Sequence, residues 1–243
     1  MNLIVDVGNT LIKVAVFDRN FLIYETSFKS LDSNQNFKNI LEKQHCTHAI
    51  ISSVVDKEIM EILKNYSNLQ VLNLTSDTPI PFFNAYASPK TLGVDRIALA
   101  AAAFCEYPRK NVLVIDAGTC ITYDFVHVDG TYMGGSIAPG LKMRYASLHH
   151  FTARLPLLDE YKEPEMLIGN TTENSIRSGV YYGLIYEIQG VIAQYVSLFE
   201  DLTVILTGGD MQILSKTLKN TIFANPKFLI QGLNHILEYN KHG

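Results

Sequence analysis

The stretch Leu3–Asp18, LIVDVGNTLIKVAVFD, decides the architecture of this chain. An apolar run leads to Asp6, the turn Gly8-Asn9-Thr10 follows, and a second apolar run extends from Leu11 to Phe17. This pattern predicts a strand, a tight turn and a returning strand. Because glycine lets the backbone approach a ligand and the free N–H groups of a tight turn can cradle a phosphate, the turn is a candidate anion site.

Two charged side chains flank this turn. Asp6 ends a buried strand, where a carboxylate is unfavourable unless it is paired or faces a cation, so a Mg²⁺ ion brought in with a nucleotide is its expected partner. Lys13 returns a positive charge to the turn from the second strand. The alternative is an ordinary hairpin whose aspartate and asparagine merely suit a turn.

The hairpin pattern occurs twice. Val112–Val126, VLVIDAGTCITYDFV, repeats the order of strand, aspartate, glycine, hydroxyl residue and strand. Asp6 and Asp116 lie 110 residues apart, a little under half of the 243. Two copies, each opening one half of the chain, predict a duplicated domain with a cleft between the copies. We place the domains at 1–110 and 111–243.

The composition excludes several classes of protein. With 47% hydrophobic residues among 243, each domain can bury a core. A net charge of −4 with mixed charges gives no basic footprint for nucleic acid. Cys46, Cys105 and Cys120 support neither a disulfide framework nor a zinc site, and we expect reduced core thiols. The N-terminus does not resemble an export signal and no stretch suits a membrane span, so we expect a soluble, cytoplasmic protein.

Three strands are followed by alternating helices and strands. After the third strand, Asn20–Phe28, the predicted helices and strands alternate over Asn34–Gln44, Ala49–Val54, Asp56–Tyr66 and Gln70–Leu74. This order is typical of mixed α/β architectures with a central sheet. The longest helical pattern begins near Thr171. Its apolar stripe, from Ile176 to Val196, is broad enough for both a core and a subunit contact.

The segment Thr75–Lys90 is the first loop with a functional interpretation. Prolines surround Phe82, Phe83 and Tyr86, which makes a stiff aromatic segment suited to a pocket wall. The alternative is a loop that packs its aromatic side chains on the core.

The segment Gly93-Val94-Asp95-Arg96 begins an alanine-rich helix. An aspartate in the first turn commonly does no more than interact favourably with the helix dipole, and spacing alone favours this interpretation. The chemical alternative is that Asp95 accepts the proton of a bound alcohol during phosphoryl transfer while Arg96 holds an anionic group.

Glycine-rich segments follow the second hairpin. Gly130–Leu141 is predicted to be a loop that approaches a ligand or simply turns sharply, and Leu155–Glu165 is predicted to be a lid or a connection. Gly208-Gly209-Asp210 follows the predicted strand Thr203–Thr207. Its small residues would let a flat base lie against the backbone, with Asp210 capping the next helix. Leu229–Tyr239 is predicted to be a strand end and a helix.

Four motifs, taken together and in this order, are specific to one family. They are Asp6-Val7-Gly8-Asn9-Thr10, Gly93-Val94-Asp95-Arg96, Asp116-Ala117-Gly118-Thr119 and Gly134-Gly135-Ser136-Ile137-Ala138-Pro139-Gly140. On these motifs the chain resembles the type III pantothenate kinases over essentially its full length. The resemblance implies two duplicated ribonuclease H-like domains, the actin-like ATPase fold of the acetate kinase, sugar kinase and Hsp70 superfamily, with an inter-domain cleft and a homodimeric assembly.

The resemblance also implies a reaction and its site. The reaction is ATP-dependent phosphorylation of the primary alcohol of pantothenate, the first step toward coenzyme A, with Mg²⁺ and a monovalent cation, K⁺ or NH₄⁺. Asp95 would be the proton acceptor and Asp116 the ligand of the monovalent cation. ATP phosphates and Mg²⁺ would be held by Asp6, Val7, Gly8, Asn9, Thr10, Leu11, Ile12 and Lys13, with Thr119 also touching the nucleotide. The pantothenate site would be lined by Tyr86, Gly93, Val94, Asp95, Arg96 and Thr172.

One residue departs from the family pattern, and one assignment has two candidates. Cys120 stands where the family usually has alanine, which we expect to be a modest enlargement in a buried place. Thr171 and Thr172 are adjacent, and Thr172 fits the family spacing to Ile176.

Two other functions stay open beside the kinase. The first is a nucleotide-binding regulator without turnover, since some relatives were first described as transcriptional accessory factors. The second is a phosphotransferase or phosphatase of the same superfamily with another acceptor, in which the aromatic loop around Tyr86 would differ.

Overall fold

The structure, a computed structural model, describes residues 1–8, 11–29, 33–53, 57–158, 162–218 and 222–241. Its strands are β1 (Asn2–Val7), β2 (Ile12–Asp18), β3 (Phe21–Phe28), β4 (His48–Ser53), β5 (Gln70–Asn73), β6 (Phe83–Asn84), β7 (Asn111–Ala117), β8 (Cys120–Val126), β9 (Thr131–Pro139), β10 (Leu202–Thr207) and β11 (Phe223–Ala224). Its α-helices are α1 (Ser33–Gln44), α2 (Lys57–Lys64), α3 (Val94–Glu106), α4 (Leu141–His150), α5 (Thr172–Leu198), α6 (Met211–Ser215) and α7 (Phe228–Asn240).

The chain divides into two compact units. Unit 1 comprises Met1–Pro108, Gly130–Tyr132 and Lys227–Gly243, and unit 2 comprises Arg109–Asp129 and Met133–Pro226. The predicted ranges, 1–110 and 111–243, put the first division close to Pro108. They differ from the structure at Gly130–Tyr132 and at Lys227–Gly243, which both group with unit 1.

Unit 1 contains a mixed sheet in the order β3-β2-β1-β4-β5. β1, β2 and β3 are antiparallel neighbours, whereas β4 runs parallel to both β1 and β5. The side chains of β1 do not alternate between buried and exposed positions, because Leu3, Ile4 and Val5 are all fully buried. This is expected for a strand that is covered on both faces. Helices α1 and α2 contribute Phe37, Ile59 and other apolar side chains to the core on one side.

The C-terminal helix α7 belongs to unit 1 because it packs closely on α3. At Gly232 a Cβ atom would lie 1.9 Å from the backbone oxygen of Ala98, so only glycine permits this approach. Polar contacts extend the attachment to the sheet: Asn234 accepts a hydrogen bond from Asn2 (2.7 Å) and donates one to the backbone oxygen of Arg19 (2.8 Å). These contacts pair residues more than 200 positions apart, which sequence patterns do not reveal.

Unit 2 repeats the strand order of unit 1. The sheet has the order β11-β10-β7-β8-β9-β6, and without its edge strand β6 this order matches β5-β4-β1-β2-β3 strand by strand. β7 and β8 are antiparallel, and β10 runs parallel to β7 and β11. The long helix α5 buries Leu184 and Ile188 completely against this sheet, while Val196 at the end of the predicted stripe is 57% exposed.

Two predicted elements need correction. The segment Gly130–Leu141 is not a loop, because Thr131–Pro139 forms β9. Glycine is required there by packing: a Cβ atom on Gly135 would lie 1.5 Å from the backbone oxygen of Tyr123 in β8. The C-terminal segment Leu229–Tyr239 is helical throughout, and the short strand precedes it as β11. Among the described residues, no helix is long and apolar enough to cross a membrane.

Candidate active site

The first hairpin places two opposite charges across a strand pair. Asp6 and Lys13 are register partners of β1 and β2, so the lysine returns to the carboxylate as the sequence predicted. The amide of Gly8 donates a hydrogen bond to the backbone oxygen of Leu11 (3.1 Å), which closes the turn. Asn9 and Thr10, also predicted to hold phosphate, lie outside the described residues.

The Asp6 carboxylate has an unusual protonation equilibrium. Burial is the main reason why the pKa of Asp6 is raised to about 6, and the Asp95 carboxylate raises it further while the Lys13 ammonium lowers it. A buried carboxylate beside a second carboxylate favours binding of another cation, because a cation offsets both the burial and the Asp95 charge that raise this pKa. Asp6, Lys13 and Asp95 therefore form one electrostatic cluster in unit 1.

Asp95 and Arg96 lie in the first turn of helix α3, where Asp95 is exposed and Arg96 is buried. Gly93 is the N-cap, and a Cβ atom at this position would lie 2.3 Å from Asp95 Oδ1. Asp95 is exposed, and its Oδ1 accepts a hydrogen bond from the amide of Arg96 (2.8 Å). The carboxylate thus supports the helix end and also faces solvent, so the structural and the chemical interpretations both apply to it.

Tyr86 connects the aromatic loop to Arg96. The Arg96 guanidinium is 4% exposed and lies over the Tyr86 ring, with Cζ 5.6 Å from the ring centroid. The Tyr86 ring also packs near the ring of Tyr132, with the two ring centroids 6.2 Å apart. Of the two phenylalanines in this loop, Phe82 is buried and Phe83 is 70% exposed. The loop is therefore partly core packing and partly accessible surface.

The second hairpin resembles the first but places no lysine opposite its aspartate. Asp116 pairs in register with Thr122 of β8 and with Thr207 of β10. The amide of Gly118 donates to the backbone oxygen of Cys120 (3.0 Å), and Thr119 is exposed at the turn. Cys120 is also exposed, so the expectation of a buried thiol there is wrong.

Two glycine segments converge on this second turn. At Gly208, where φ is +95°, a Cβ atom would lie 2.4 Å from both the backbone oxygen of Ala117 and Asp116 Oδ1. At Gly140 it would lie 2.3 Å from the backbone oxygens of Gly118 and Thr119. The absence of side chains therefore permits backbone to surround the turn, which is an arrangement suited to a phosphate or a small cation.

Asp210 contributes to this convergence through its backbone. It occupies the N-cap position of α6 but makes no side-chain capping bond, which corrects the predicted cap. Its amide instead donates to the backbone oxygen of Ala117 (2.9 Å), at the end of β7. Burial raises the pKa of the Asp210 carboxyl, and the Lys142 ammonium partly offsets this effect.

Thr172 lines a cavity of about 940 Å³ in unit 2. Thr171 is the N-cap of α5, where its hydroxyl oxygen accepts a hydrogen bond from the amide of Asn174 (3.1 Å), and Thr172 begins the helix. Both threonines line the cavity. Its other lining residues are Arg144, Ser147, Leu148, Leu155, Gly169, Asn170, Ser175, Ile176, Gly179 and Val180.

Sequence reasoning missed a polar cluster beside this cavity. Arg144 of α4 forms an ion pair with Glu187 of α5 (2.7 Å), and Glu187 also accepts a hydrogen bond from the hydroxyl of Tyr123 (3.1 Å). The three residues lie on three different elements and belong to no motif, so no local signal connects them. Among the described residues, no group of three His, Cys, Asp or Glu side chains is arranged to hold a metal by itself.

Solved structures define the class of this protein. A chain described as a Baf family transcriptional activator from Campylobacter jejuni matches with a TM-score of 0.63 and 22% identity, covering 99% of this chain and 100% of that chain. A ROK family glucokinase from Streptomyces griseus in complex with glucose and AMPPNP matches with a TM-score of 0.53 and 10% identity, covering 100% and 99%. The protein thus has the duplicated α/β fold of the actin-like ATPases and sugar kinases, which confirms the predicted fold class.

Relatives in sequence narrow the class to one family. A type III pantothenate kinase from Christiangramia forsetii is 54% identical over 245 residues, covering 99% of each chain. Another from Flavobacterium johnsoniae is 47% identical over 240 residues, covering 98% of each chain. The family model for type III pantothenate kinase matches residues 2–194. The chain belongs to the type III pantothenate kinase family, and the resemblance expected from its motifs is confirmed.

Proposed function

We propose that this protein uses ATP to phosphorylate the primary alcohol of pantothenate, the first step of coenzyme A biosynthesis. The observation that carries the proposal is membership of the family over nearly the whole chain, including 54% identity to a relative of that name. The cluster of Asp6, Lys13 and Asp95 in unit 1 supports it, because phosphoryl transfer depends on positioned charges more than on covalent chemistry.

In this proposal Asp95 accepts the proton of the alcohol. Its carboxylate is exposed at the N-terminus of α3, held from one side by the Arg96 amide (2.8 Å). Arg96, Tyr86, Gly93 and Val94 line the pantothenate site beside it. The Arg96 guanidinium, stacked on Tyr86, presents a fixed positive charge that suits the carboxylate of this substrate. Thr172 contributes a hydroxyl from the start of α5.

The nucleotide phosphates bind the first hairpin, from Asp6 to Lys13, with Thr119 as a further contact. The Asp6 carboxylate fits Mg²⁺, since it is a hard oxygen ligand of the kind this ion prefers, and burial, with the Asp95 carboxylate adding to it, raises the pKa of Asp6 in the absence of a cation. When bound, Mg²⁺ neutralises phosphate charge. Lys13 adds a fixed positive charge from β2.

Asp116 holds the monovalent cation, K⁺ or NH₄⁺, in the same proposal. Its Oδ1 lies beside Gly208 together with the backbone oxygen of Ala117, so carboxylate and carbonyl oxygens converge in a place that a Cβ atom would fill. Oxygen ligands of this kind suit hard cations.

The test is ADP release by the purified protein with ATP and Mg²⁺, with and without pantothenate, in K⁺ buffer and then in Na⁺ buffer. We expect release that depends on both pantothenate and K⁺. Asp95→Asn should lower turnover by about 10²- to 10⁴-fold, the usual contribution of a general base. Asp18→Asn is the matched control, because Asp18 is an exposed aspartate of the same unit and should retain full activity.

Two results would contradict the proposal. Tight ATP binding without pantothenate-dependent ADP release would indicate a nucleotide-binding regulator. Release that depends on a different alcohol would indicate another acceptor, and a screen of acceptor alcohols would identify it. Retention of most of the rate by Asp95→Asn would contradict the role of that residue as the base.

A homodimer is the assembly we propose. Unit 2 exposes large apolar side chains, including Phe151 (81%), Leu167 (57%) and Ile168 (81%), and a second copy of this chain would cover them. The mass in solution, measured by light scattering, should be twice 27.2 kDa. Phe151→Ser with Ile168→Ser should lower it to that of one chain. The cytoplasmic location expected from the sequence stays a prediction.

A further inference from the structure

Arg144 and Glu187 have no part in the reaction proposed above, yet they form a partly buried ion pair within unit 2. Arg144 Nη2 lies 2.7 Å from Glu187 Oε2, and the two side chains are 20% and 31% exposed. An isolated exposed pair of this kind contributes little to stability, since solvent screens it. Each partner of this pair also makes a hydrogen bond to a neighbouring strand, and these hydrogen bonds carry the inference.

The Arg144 guanidinium contacts the end of β9. Its Nε donates a hydrogen bond to the backbone oxygen of Pro139 (2.9 Å), while the Arg144 amide makes the first-turn helical bond of α4 to the oxygen of the N-cap Gly140 (3.1 Å). The guanidinium therefore connects Glu187 on one side with the Pro139 carbonyl on the other. Its planar fork of donors suits two acceptors at fixed positions, which a lysine ammonium does not reproduce.

Glu187 is in turn anchored to β8. Its Oε1 accepts a hydrogen bond from the hydroxyl of Tyr123 (3.1 Å), a side chain that is 1% exposed. Burial, followed by the charge of Glu187, raises the pKa of Tyr123 far above its ordinary range, so the hydroxyl stays protonated and remains a donor.

Gly140 completes a closed ring of contacts. Its amide donates to the backbone oxygen of Thr119 (3.1 Å), and it packs so closely that a Cβ atom would lie 2.3 Å from the oxygens of Gly118 and Thr119. Thr119 immediately precedes the strand that contains Tyr123. The ring thus runs from the turn through Gly140, Pro139, Arg144 and Glu187 to Tyr123, and back along β8 to the turn.

We propose that Arg144 and Glu187 are positioning residues, which hold Pro139–Gly140 against the turn Gly118–Thr119 and thereby set the affinity of this turn for the nucleotide. The inference rests on the proposed function in one respect, the assignment of Thr119 to the nucleotide. Backbone groups that contact phosphate must be fixed before binding, because ordering them afterwards reduces the affinity. The Arg144 guanidinium contacts the Pro139 carbonyl, and this peptide adjoins both the turn and α4.

The decisive variant is Arg144→Lys. Lysine keeps the positive charge and can still pair with Glu187, but it lacks the second donor that reaches Pro139. We expect the KM for ATP and the Kd for AMPPNP with Mg²⁺, measured by calorimetry, to rise about tenfold, since a loosened turn must be ordered at the expense of binding free energy. The kcat and the KM for pantothenate should stay within about twofold of wild type.

A pair of Glu187 variants tests the same inference through the other partner. Glu187→Gln keeps an oxygen for Arg144 and a group that Tyr123 can contact, so it should preserve most of the affinity for AMPPNP. Glu187→Leu removes both contacts and should raise the Kd as Arg144→Lys does. Glu163→Gln is the control, because Glu163 belongs to an exposed ion pair of unit 2 with Lys216 (4.0 Å) and should leave the Kd unchanged.

Three outcomes would overturn the inference. The first is an unchanged Kd for AMPPNP in both Arg144→Lys and Glu187→Leu. The second is a rise in the KM for pantothenate alone, which would assign Arg144 to the cavity that it shares with Thr172. The third is a loss of affinity that follows a loss of thermal stability and is absent at lower temperature. Calorimetry needs no turnover, so a wild type that binds AMPPNP without phosphorylating pantothenate would contradict the proposed function and leave this inference standing.

Discussion

The hairpins β1–β2 and β7–β8 repeat one sequence pattern, yet the register partner of the aspartate differs between them. Asp6 lies opposite Lys13, whereas Asp116 lies opposite Thr122. The turn also differs in length, because the last register pair is Val7 with Ile12 in the first hairpin and Ala117 with Ile121 in the second. One residue fewer in the second turn shifts the residue that faces the aspartate.

The two hairpins also differ in what surrounds their turns. The first hairpin relies on charge, because Asp6, Lys13 and Asp95 interact there and the pKa of Asp6 is raised to about 6. The second relies on backbone packing, because Gly140 and Gly208 approach its turn at distances that exclude a side chain. The two units therefore share a strand order while their turns differ in chemistry.

The largest expected effect comes from filling the space beside the second turn. Gly140→Ala would place its Cβ 2.3 Å from two backbone oxygens, so it should lower the free energy of unfolding by about 3 kcal/mol or more, as overpacking against rigid groups does. Gly8→Ala in the first turn meets only the Leu11 oxygen at 3.1 Å and should lower it by about 1 kcal/mol or less. Urea unfolding of both variants checks this, and similar losses would remove the contrast in packing.

The next effect concerns charge in the first turn. Because folding raises the pKa of Asp6 from 3.8 to about 6, the folded state binds the proton more tightly, and ionisation destabilises it as pH rises through 6. Asp6→Asn should therefore raise the unfolding free energy by up to about 3 kcal/mol at pH 8, with no gain below pH 4. The same variant should lose kinase activity. Thermal unfolding across this pH range measures the gain.

Lys13→Met supplies the opposite change at the same pair. Removing the ammonium leaves the Asp6 carboxylate without its register partner, so stability at pH 8 should fall and stability at pH 4 should not. A pH-independent gain for Asp6→Asn would show that the stabilisation has another origin than ionisation.

A smaller effect distinguishes two tyrosines of unit 2. Tyr123→Phe removes the donor that ties the second hairpin to Glu187, and it should cost about 1 kcal/mol. The buried hydroxyl of Tyr145 has no hydrogen-bond partner within the described part of the chain. Tyr145→Phe should therefore be neutral or stabilising by about 1 kcal/mol, as urea unfolding would measure. A loss in the Tyr145 variant equal to that in the Tyr123 variant would contradict this distinction.

The smallest effect is expected at Cys120. The thiol is exposed, so Cys120→Ala should change the unfolding free energy by less than about 0.5 kcal/mol and leave the KM for ATP unaltered. Thermal unfolding and steady-state kinetics measure both. A destabilisation of several kcal/mol would restore the expectation of a buried side chain at this turn.

Local patterns were sufficient to predict the two hairpins and the mixed α/β order. An apolar run that ends in aspartate and glycine predicts a strand and its turn within a few residues, so the places of Asp6, Lys13 and Asp116 on the hairpins could be predicted from sequence. The same patterns failed at β9, because glycines that are required by the close approach of Tyr123 look like loop residues in isolation. Glycine marks close packing as readily as it marks a turn.

Contacts distant in sequence could not be predicted from local patterns. The α7 helix falls within the predicted second domain because nothing near Gly232 indicates that it packs against Ala98. The ring through Arg144 and Glu187 was missed for the same reason, since its members lie on separate elements. At Asp95 the proposed role as proton acceptor comes from the family motif, because spacing alone favours a helix-dipole interaction.

The position of α7 in the chain also imposes an order on biosynthesis. Helix α3, with Asp95 at its start, leaves the ribosome long before its packing partner, and the whole of unit 2 is translated in between. Until Lys227–Gly243 has emerged, the alanine face that meets Gly232 stays uncovered, and uncovered apolar surface attracts chaperones and proteases. A nascent chain that stalls before Lys227 thus leaves the alanine face of α3 exposed, and translation of the C-terminal segment covers it.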